Sequence, residues 1–434
     1  MRAPLQRFFS AYGMIGVLLA LCVFFSTVTY TKQAASGLEA AEEIASRIPK
    51  GASVTLIGSD TAEDQGFTDL LIQALARRGM SQVKIVLGEP QDARRALAEL
   101  AKSPEIHAVV RTEKASRWLV FEDVATEFPS LSDVPWIQPR SYFFPNFLKA
   151  DNLLNIANQI AVIAIVAIGM TMVIIAGGID LSVGSLIALS AVGIAVGLRD
   201  YGGGTAASST AMVACGIAAV AVCGLAGAFS GFMVTRFAIP PFIVTLGMML
   251  VSSGLAYTLA EGQSISAMPD SFTWLGRGTG FLGLPIAVLL MFALYVAAHL
   301  VMSQMRFGRY LYAVGGNVEA AALSGVPVKR VIALTYVISG LLAGLGGVLF
   351  ASQLKSGSPT YGTMYELYVI AAAVVGGTSL SGGKGRMFGT LIGAFTIAVI
   401  QNGMNLTNVE SYTQKVVLGL VILGAVLMDK TRQN

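Results

Sequence analysis

The residues best equipped for chemistry sit in one run, Ala176-Gly-Gly-Ile-Asp-Leu-Ser-Val-Gly-Ser-Leu-Ile-Ala188, between two apolar stretches of membrane length. Asp180 is the only charge in it, and no cation lies nearby in sequence. An unpaired carboxylate in lipid is costly. Asp180 must therefore face a polar interior, lie at a membrane surface, or cap a helix. Gly177 and Gly178 break the preceding helix, and Gly184 is the third glycine of the motif. From there Asp180 or Ser182 can cap a helix beginning near Val183, whose N-terminal amides favour an anion. The cap is the simpler reading, and Asn in place of Asp180 would then serve as well.

Other chemically suggestive residues dissolve on inspection. Leu380-Ser-Gly-Gly-Lys384 imitates an ATP-handling signature, but a phosphate loop needs Ser or Thr after its lysine, and Gly385 stands there. The segment joins two apolar bands and reads as a tight basic turn. His107 and His299 are isolated. Cys22, Cys215 and Cys223 all lie in apolar runs, and the last two would sit ~12 Å apart on one helix, too far for a disulfide. No catalytic residue, metal site or cofactor is expected, and the chain does not read as an enzyme.

The elements around these residues follow from composition. Of 434 residues, 54% are hydrophobic and 12% charged, with 48 glycines. This is a polytopic membrane protein. Half of the basic residues and most of the acidic ones fall between Lys32 and Lys149, so a charged segment interrupts a long apolar body. Apolar bands at about 11–28, 153–176, 183–198, 211–235, 241–260, 282–303, 331–352, 367–380, 387–404 and 413–428 predict ten spans. Two of them, 183–198 and 367–380, are short enough to be broken or re-entrant. With the N-terminus cytoplasmic, the inner segments carry Arg2, Arg7, Arg236, Arg306, Arg309, Lys329, Arg330, Lys384, Arg386, Lys430 and Arg432. The short outer loops keep Arg199, Arg277, Lys355 and Lys415, the asymmetry of the positive-inside rule. Both termini are then cytoplasmic.

The expected domains are a tail and first span (1–30), an inserted extracytoplasmic α/β domain (31–140) and a membrane domain (141–434). In the insert, Ser53–Gly58, Gln82–Leu87 and Ile106–Val110 read as strands, with helices over Phe67–Arg78 and Pro90–Ala101. That alternation predicts a parallel sheet. Gly58-Ser-Asp60 falls where such sheets bind ligands, without a dinucleotide fingerprint. The plain reading is a docking or spacer domain.

The longest inner loop contains Asn317, a good N-cap after two glycines, Glu319 at the positive end of the dipole, and a stop at Gly325 before Pro327. A short capped helix of Ala320, Ala321, Ala322, Leu323 and Ser324 thus projects between two spans, shaped to enter a groove on a partner. Ser339, Ala343 and Gly347 share a helix face and allow close span packing. Near span ends, Asn158, Gln159, Tyr361, Tyr365 and Glu366 are polar or aromatic candidates for a solute path. No acidic or basic ladder crosses the membrane, which suits a neutral solute.

Three runs, Gly177–Ser185, Arg306–Tyr310 with Ala313–Asn317 and Ala320–Gly325, and Gly376–Gly383, resemble the permease subunits of sugar ABC importers of the ribose, xylose, arabinose and galactose class. The resemblance spans about residues 142 to 430, plus the first span. It implies a permease dimer of like or unlike chains in the bacterial inner membrane. It also implies a cytoplasmic ABC ATPase and an external solute-binding protein, with Asn317–Gly325 as the coupling helix. Membrane lipid is the remaining expected partner, and nucleic acid is not one. The chain departs from the family in its insert of ~110 residues before Phe147-Leu-Lys-Ala-Asp-Asn-Leu-Leu-Asn155, whose strand–helix spacing is similar to one lobe of a sugar-binding protein. The rival function is a stand-alone secondary transporter or facilitator. A membrane-anchored sensor lacks a cytoplasmic output domain.

Overall fold

Apolar runs in lipid must satisfy their own backbone polar groups, and in the computed structural model they do so as helices. The structure describes residues 2–35, 37–49, 51–80, 82–103 and 107–433, apart from the side chains of 2–12, 34, 107 and 428–433. The basic side chains of Arg2, Arg7, Lys430 and Arg432, expected at the inner face, lie outside that set. The chain divides into two units, Met1–Thr29 with Asn146–Asn434, and Tyr30–Pro145.

The chain opens with α1 (Arg2–Val28) and passes into the smaller unit. There it forms β1 (Tyr30–Ala34), α2 (Leu38–Arg47), β2 (Ser53–Ser59), α3 (Ala62–Arg77), β3 (Val83–Gly88), α4 (Pro90–Leu100), β4 (His107–Arg111), β5 (Trp136–Ile137) and β6 (Ser141–Pro145). The sheet is parallel with order β3-β2-β4-β5, so its first strand in sequence lies inside it. Val54, Leu56 and Val110 pack on the α2–α3 side, and Ile57 and Val109 on the α4 side, the two faces of period-two strands. The place where Gly58–Asp60 could meet a ligand is filled by the domain's own bonds. Asp64 accepts from the Ser59 amide (2.8 Å), the Ser59 hydroxyl (2.7 Å) and the Thr112 hydroxyl (2.7 Å). Lys114 spans Thr61 and Glu63 across the same gap. Three features were not expected: α2, the short edge strand β5, and a separate antiparallel ribbon of β1 with β6, registered Thr31 to Phe144 and Lys32 to Phe143.

The larger unit continues with α5 (Ala150–Ile175), α6 (Val183–Asp200), α7 (Ser209–Phe237), α8 (Pro241–Leu259), α9 (Ile286–Gln304), α10 (Arg306–Gly316), α11 (Val318–Leu323), α12 (Val328–Leu354), α13 (Tyr365–Val375), α14 (Met387–Leu406) and α15 (Ser411–Gln433). Among the described residues seven helices are long and apolar enough to cross a membrane: α5, α6, α7, α8, α9, α12 and α14. This replaces the expected ten. The other three bands form shorter apolar helices, Gly13–Val28, Tyr365–Val375 and Ser411–Leu427. At 1.5 Å per residue, α13 reaches only ~16 Å, about half a bilayer core. A further difference is α10, an amphipathic helix in what read as loop, burying Gly308, Leu311 and Val314.

The bundle centres on α5 and α12. Small residues let α12 approach its neighbours at backbone distance: a Cβ on Gly340 would lie 2.3 Å from Cys223 O, and one on Gly347 2.4 Å from Ile187 O. Gly169 of α5 meets Ser339 in the same way. The spacing-four stripe of Ser339, Ala343 and Gly347 is buried between α12 and its neighbours.

Candidate functional site

At one end of the bundle the three motif runs converge, and they do so through main chain. Gly383 N–H donates to Ile175 O at 2.9 Å, closing the end of α5 onto the loop between α13 and α14. A Cβ on Gly315, at the end of α10, would fall 1.7 Å from that same carbonyl and 2.5 Å from Gly383 N. Gly382 and Gly383, with φ of +84° and +70°, take the left-handed backbone that this turn requires. Tyr312 donates from its hydroxyl to Gly385 O at 2.8 Å, adding a side-chain strut.

From this junction α11 projects. Asn317 caps it, its Oδ1 accepting from Ala320 N at 2.9 Å, and Glu319 lies in the first turn. Gly325, at φ +80°, ends it beside Ser324. Ala321 is buried against the body, whereas Ala320, Ala322 and Leu323 face outward, Leu323 with 91% of its surface exposed. The capped helix expected from sequence is present, and it is rooted on the glycine junction.

Asp180 is nearly inaccessible, 1% exposed. Its Oδ1 accepts from Ser182 N (3.0 Å) and Ser182 Oγ (2.6 Å), and its Oδ2 from Ser339 Oγ (2.8 Å). Ser182 is the N-cap residue of α6 by position but makes no side-chain cap bond. The cap expectation is therefore corrected for both residues. A carboxylate two residues before an amide folds a local turn, and here its second oxygen ties that turn to α12. Ser339 lies ~16 Å from the first residue of α12 and ~22 Å from the last, so the tie sits deep within the bundle. Gly178 packs on the Tyr336 hydroxyl, which is buried without a hydrogen-bond partner among the described residues. Gly177, at φ +83°, starts the turn. Gly184 abuts the Glu366 carboxylate and Gly362 O, so α6 and α13 begin beside each other inside the bundle.

Above this level lies a cavity of about 350 Å³. It is lined by Asn158, Gln159 and Tyr365, three of the residues named for a solute path, and by Arg277, Gln353 and Gln401. Glu366 is not in its wall and instead lies against Gly184 at the α6–α13 contact. Phe350, also in the lining, packs on Tyr361 and Tyr365 at 4.9 and 5.5 Å between ring centres. The segment before α9 roofs the cavity. Asn158 Nδ2 donates to Gly276 O (3.3 Å), Gly276 N to Ser352 Oγ (2.8 Å), and Arg277 Nε to Gln353 O. Lys355 pairs with Asp270 farther out and holds that carboxyl below the usual carboxylate range. Sequence reasoning passed over Gln353 and Gln401, although primary amides inside otherwise apolar helices were a readable signal.

Residues 152–426 match the family model of the branched-chain amino acid transport system / permease component, which leaves the α/β unit outside the match. The chain is similar to the ribose import permease protein RbsC of Escherichia coli K12, 44% identical over 299 residues covering 67% of this chain and 88% of that protein. The RbsC of Bacillus subtilis 168 is 42% identical over 290 residues, 66% of this chain and 87% of the relative. The L-arabinose transport system permease protein AraH of E. coli K12 is 37% identical over 293 residues, 67% and 86% of the two chains. No solved structure matches the chain. These relatives are of the class to which the three motif runs point, and the chain belongs to the branched-chain amino acid transport system permease family.

Proposed function

We propose that this chain is the membrane-spanning permease of an ATP-driven importer of ribose- or arabinose-like sugars. The observation that carries the reading is the 44% identity to a ribose permease across 88% of that protein. The cavity supports it. Its volume lies at the lower end of the ~300–1,000 Å³ typical of small-molecule sites. Asn158, Gln159, Gln353, Gln401 and Arg277 offer donors and acceptors to hydroxyls, and Phe350 and Tyr365 offer ring faces to the apolar side of a sugar.

The working cycle follows from differential binding to two states. ATP closes two cytoplasmic ATPase subunits, and α11, through Asn317–Gly325, is the helix that docks on them. Its displacement enters the body at the Gly315–Ile175–Gly383 junction and reaches the Asp180 turn through the end of α5. The solute arrives from an external binding protein at the opposite end of the bundle, where Arg277 and Gly276 roof the cavity. A second permease chain completes the transporter. Both termini are then cytoplasmic, and the α/β unit is extracytoplasmic. The test is uptake of labelled ribose or arabinose into proteoliposomes holding the permease, its ATPase and its binding protein. ATP-dependent accumulation is expected. Equal uptake without ATPase and ATP would make the protein a facilitator and overturn the reading.

A further inference from the structure

The β1–β6 ribbon carries aromatic side chains on both of its faces. Register places Tyr30, Lys32 and Phe143 on one face, where Tyr30 and Phe143 stack at 5.6 Å. Tyr142 and Phe144 share the other, edge to face at 6.4 Å. None is covered: Tyr30 is 57% exposed, Tyr142 48%, Phe143 59% and Phe144 36%. An isolated two-stranded ribbon is marginal in water, and exposed apolar surface of this kind marks a contact.

Chain connectivity bounds how far the ribbon's residues can lie from its two points of attachment. β1 follows Thr29 directly and β6 precedes Asn146 directly. These two anchor points are bonded to each other at the end of α1: Asn146 N donates to Thr29 O (3.0 Å) and Phe147 N to Thr29 Oγ1 (3.1 Å). Phe25 and Phe147 stack beneath them at 6.1 Å. At ~3.4 Å per residue, Phe143 and Lys32 lie within ~10 Å of those points, and Phe144 within ~7 Å. The headgroup layer on each side of a bilayer core is ~5–8 Å thick. With α5 long and apolar enough to cross a membrane and the apolar α1 read as the first span, Tyr30, Lys32, Phe143 and Phe144 stay within a few ångströms of that layer, and only Tyr142, up to ~14 Å out, lies at its outer margin.

We infer that the β1–β6 ribbon is a membrane-interface anchor, its two aromatic faces seated among lipid headgroups where α1 and α5 meet the bilayer surface. A protein partner docking on a two-stranded ribbon covers one face, whereas a surrounding medium covers both. Aromatic rings favour this layer, and the Lys32 ammonium can reach lipid phosphate while its stem lies along Phe143.

The inference is tested in the full chain, reconstituted in phosphatidylcholine vesicles, with single Phe143→Trp and Phe144→Trp variants, one on each face. Fluorescence is read as the difference from the parent, which carries Trp118, Trp136 and Trp274. Phosphatidylcholine with a nitroxide on its headgroup should quench the added emission by more than half at both positions, and aqueous iodide should quench it little. Quenching by iodide and not by lipid overturns the anchor. Lipid quenching at only one position overturns immersion of both faces. Shielding that develops only on adding an external binding protein assigns the ribbon to that partner and also overturns it. The readout is separate from sugar uptake, so failure of the importer reading leaves it interpretable.

Discussion

Replacing Asp180 separates a structural tie from a required charge. Three hydrogen bonds converge on this buried carboxylate, two from Ser182 and one from Ser339. In Asp180→Ala the Ser182 amide loses its carboxylate acceptor, a loss of ~1–3 kcal/mol if it is left unpaired. The two serine hydroxyls can rotate toward main-chain carbonyls, so each forfeits about 1 kcal/mol. The sum is about 3–5 kcal/mol, enough to lower the thermal midpoint measurably and to unfasten the turn from α12. Asp180→Asn behaves differently. Its remaining oxygen still accepts from Ser182, and its amide donates to Ser339 Oγ, which accepts as readily as it donates. That variant should stay within ~1 kcal/mol of the parent and keep uptake within a factor of about three, while the Ala variant loses uptake at least ~10-fold. The assays are thermal unfolding in detergent and ATP-driven uptake in proteoliposomes. An Asn variant of normal stability and assembly that does not transport would refute the argument, because the charge itself would then be needed.

The junction gives a paired expectation: Gly315→Ala should cost ~3 kcal/mol or more, since the new Cβ meets only backbone, whereas Gly316→Ala has open space and should be tolerated. Tyr312→Phe should remove ~1 kcal/mol and lower the sugar transported per ATP without changing ATPase copurification. Leu323→Asp should abolish copurification of the ATPase with the fold intact, because that side chain is 91% exposed in the isolated permease. The Asp270 carboxyl is held low by Lys355. Their tie is therefore present above the ordinary carboxylate value of about 4 and is lost as pH falls through the depressed one. A spin label at Ser271 should become more mobile at the acid end of that window and unchanged between pH 6 and 8.

The apolar bands were legible because span-length hydrophobicity is a composition signal, and α11 because capping chemistry is local: Asn317, Glu319 and Gly325 announce their own ends. Strands β2, β3 and β4 of the α/β unit were legible for the same reason. What escaped depends on contacts distant in sequence. Nothing near Asp180 shows that Ser339 will face it, so the capping rule, which sees only neighbours, took the carboxylate for a helix cap. Arg277 and Gln353 meet only after the segment before α9 folds over α12. The ribbon was missed because β1 and β6 pair across more than a hundred residues, and neither strand is long enough to signal alone.

The glycine junction has a consequence for how such permeases can be recombined. Its fit is made of carbonyls, amides and missing side chains, so no rotamer can absorb a mismatch and little compensating substitution is possible within it. A joint of this kind passes displacement with little slack, but it cannot be retuned piecemeal. The span from Arg306 to Val326 should therefore behave as an exchangeable cartridge: grafted from another permease with the matching Gly382–Gly383 turn it should engage, and grafted without that turn it should not.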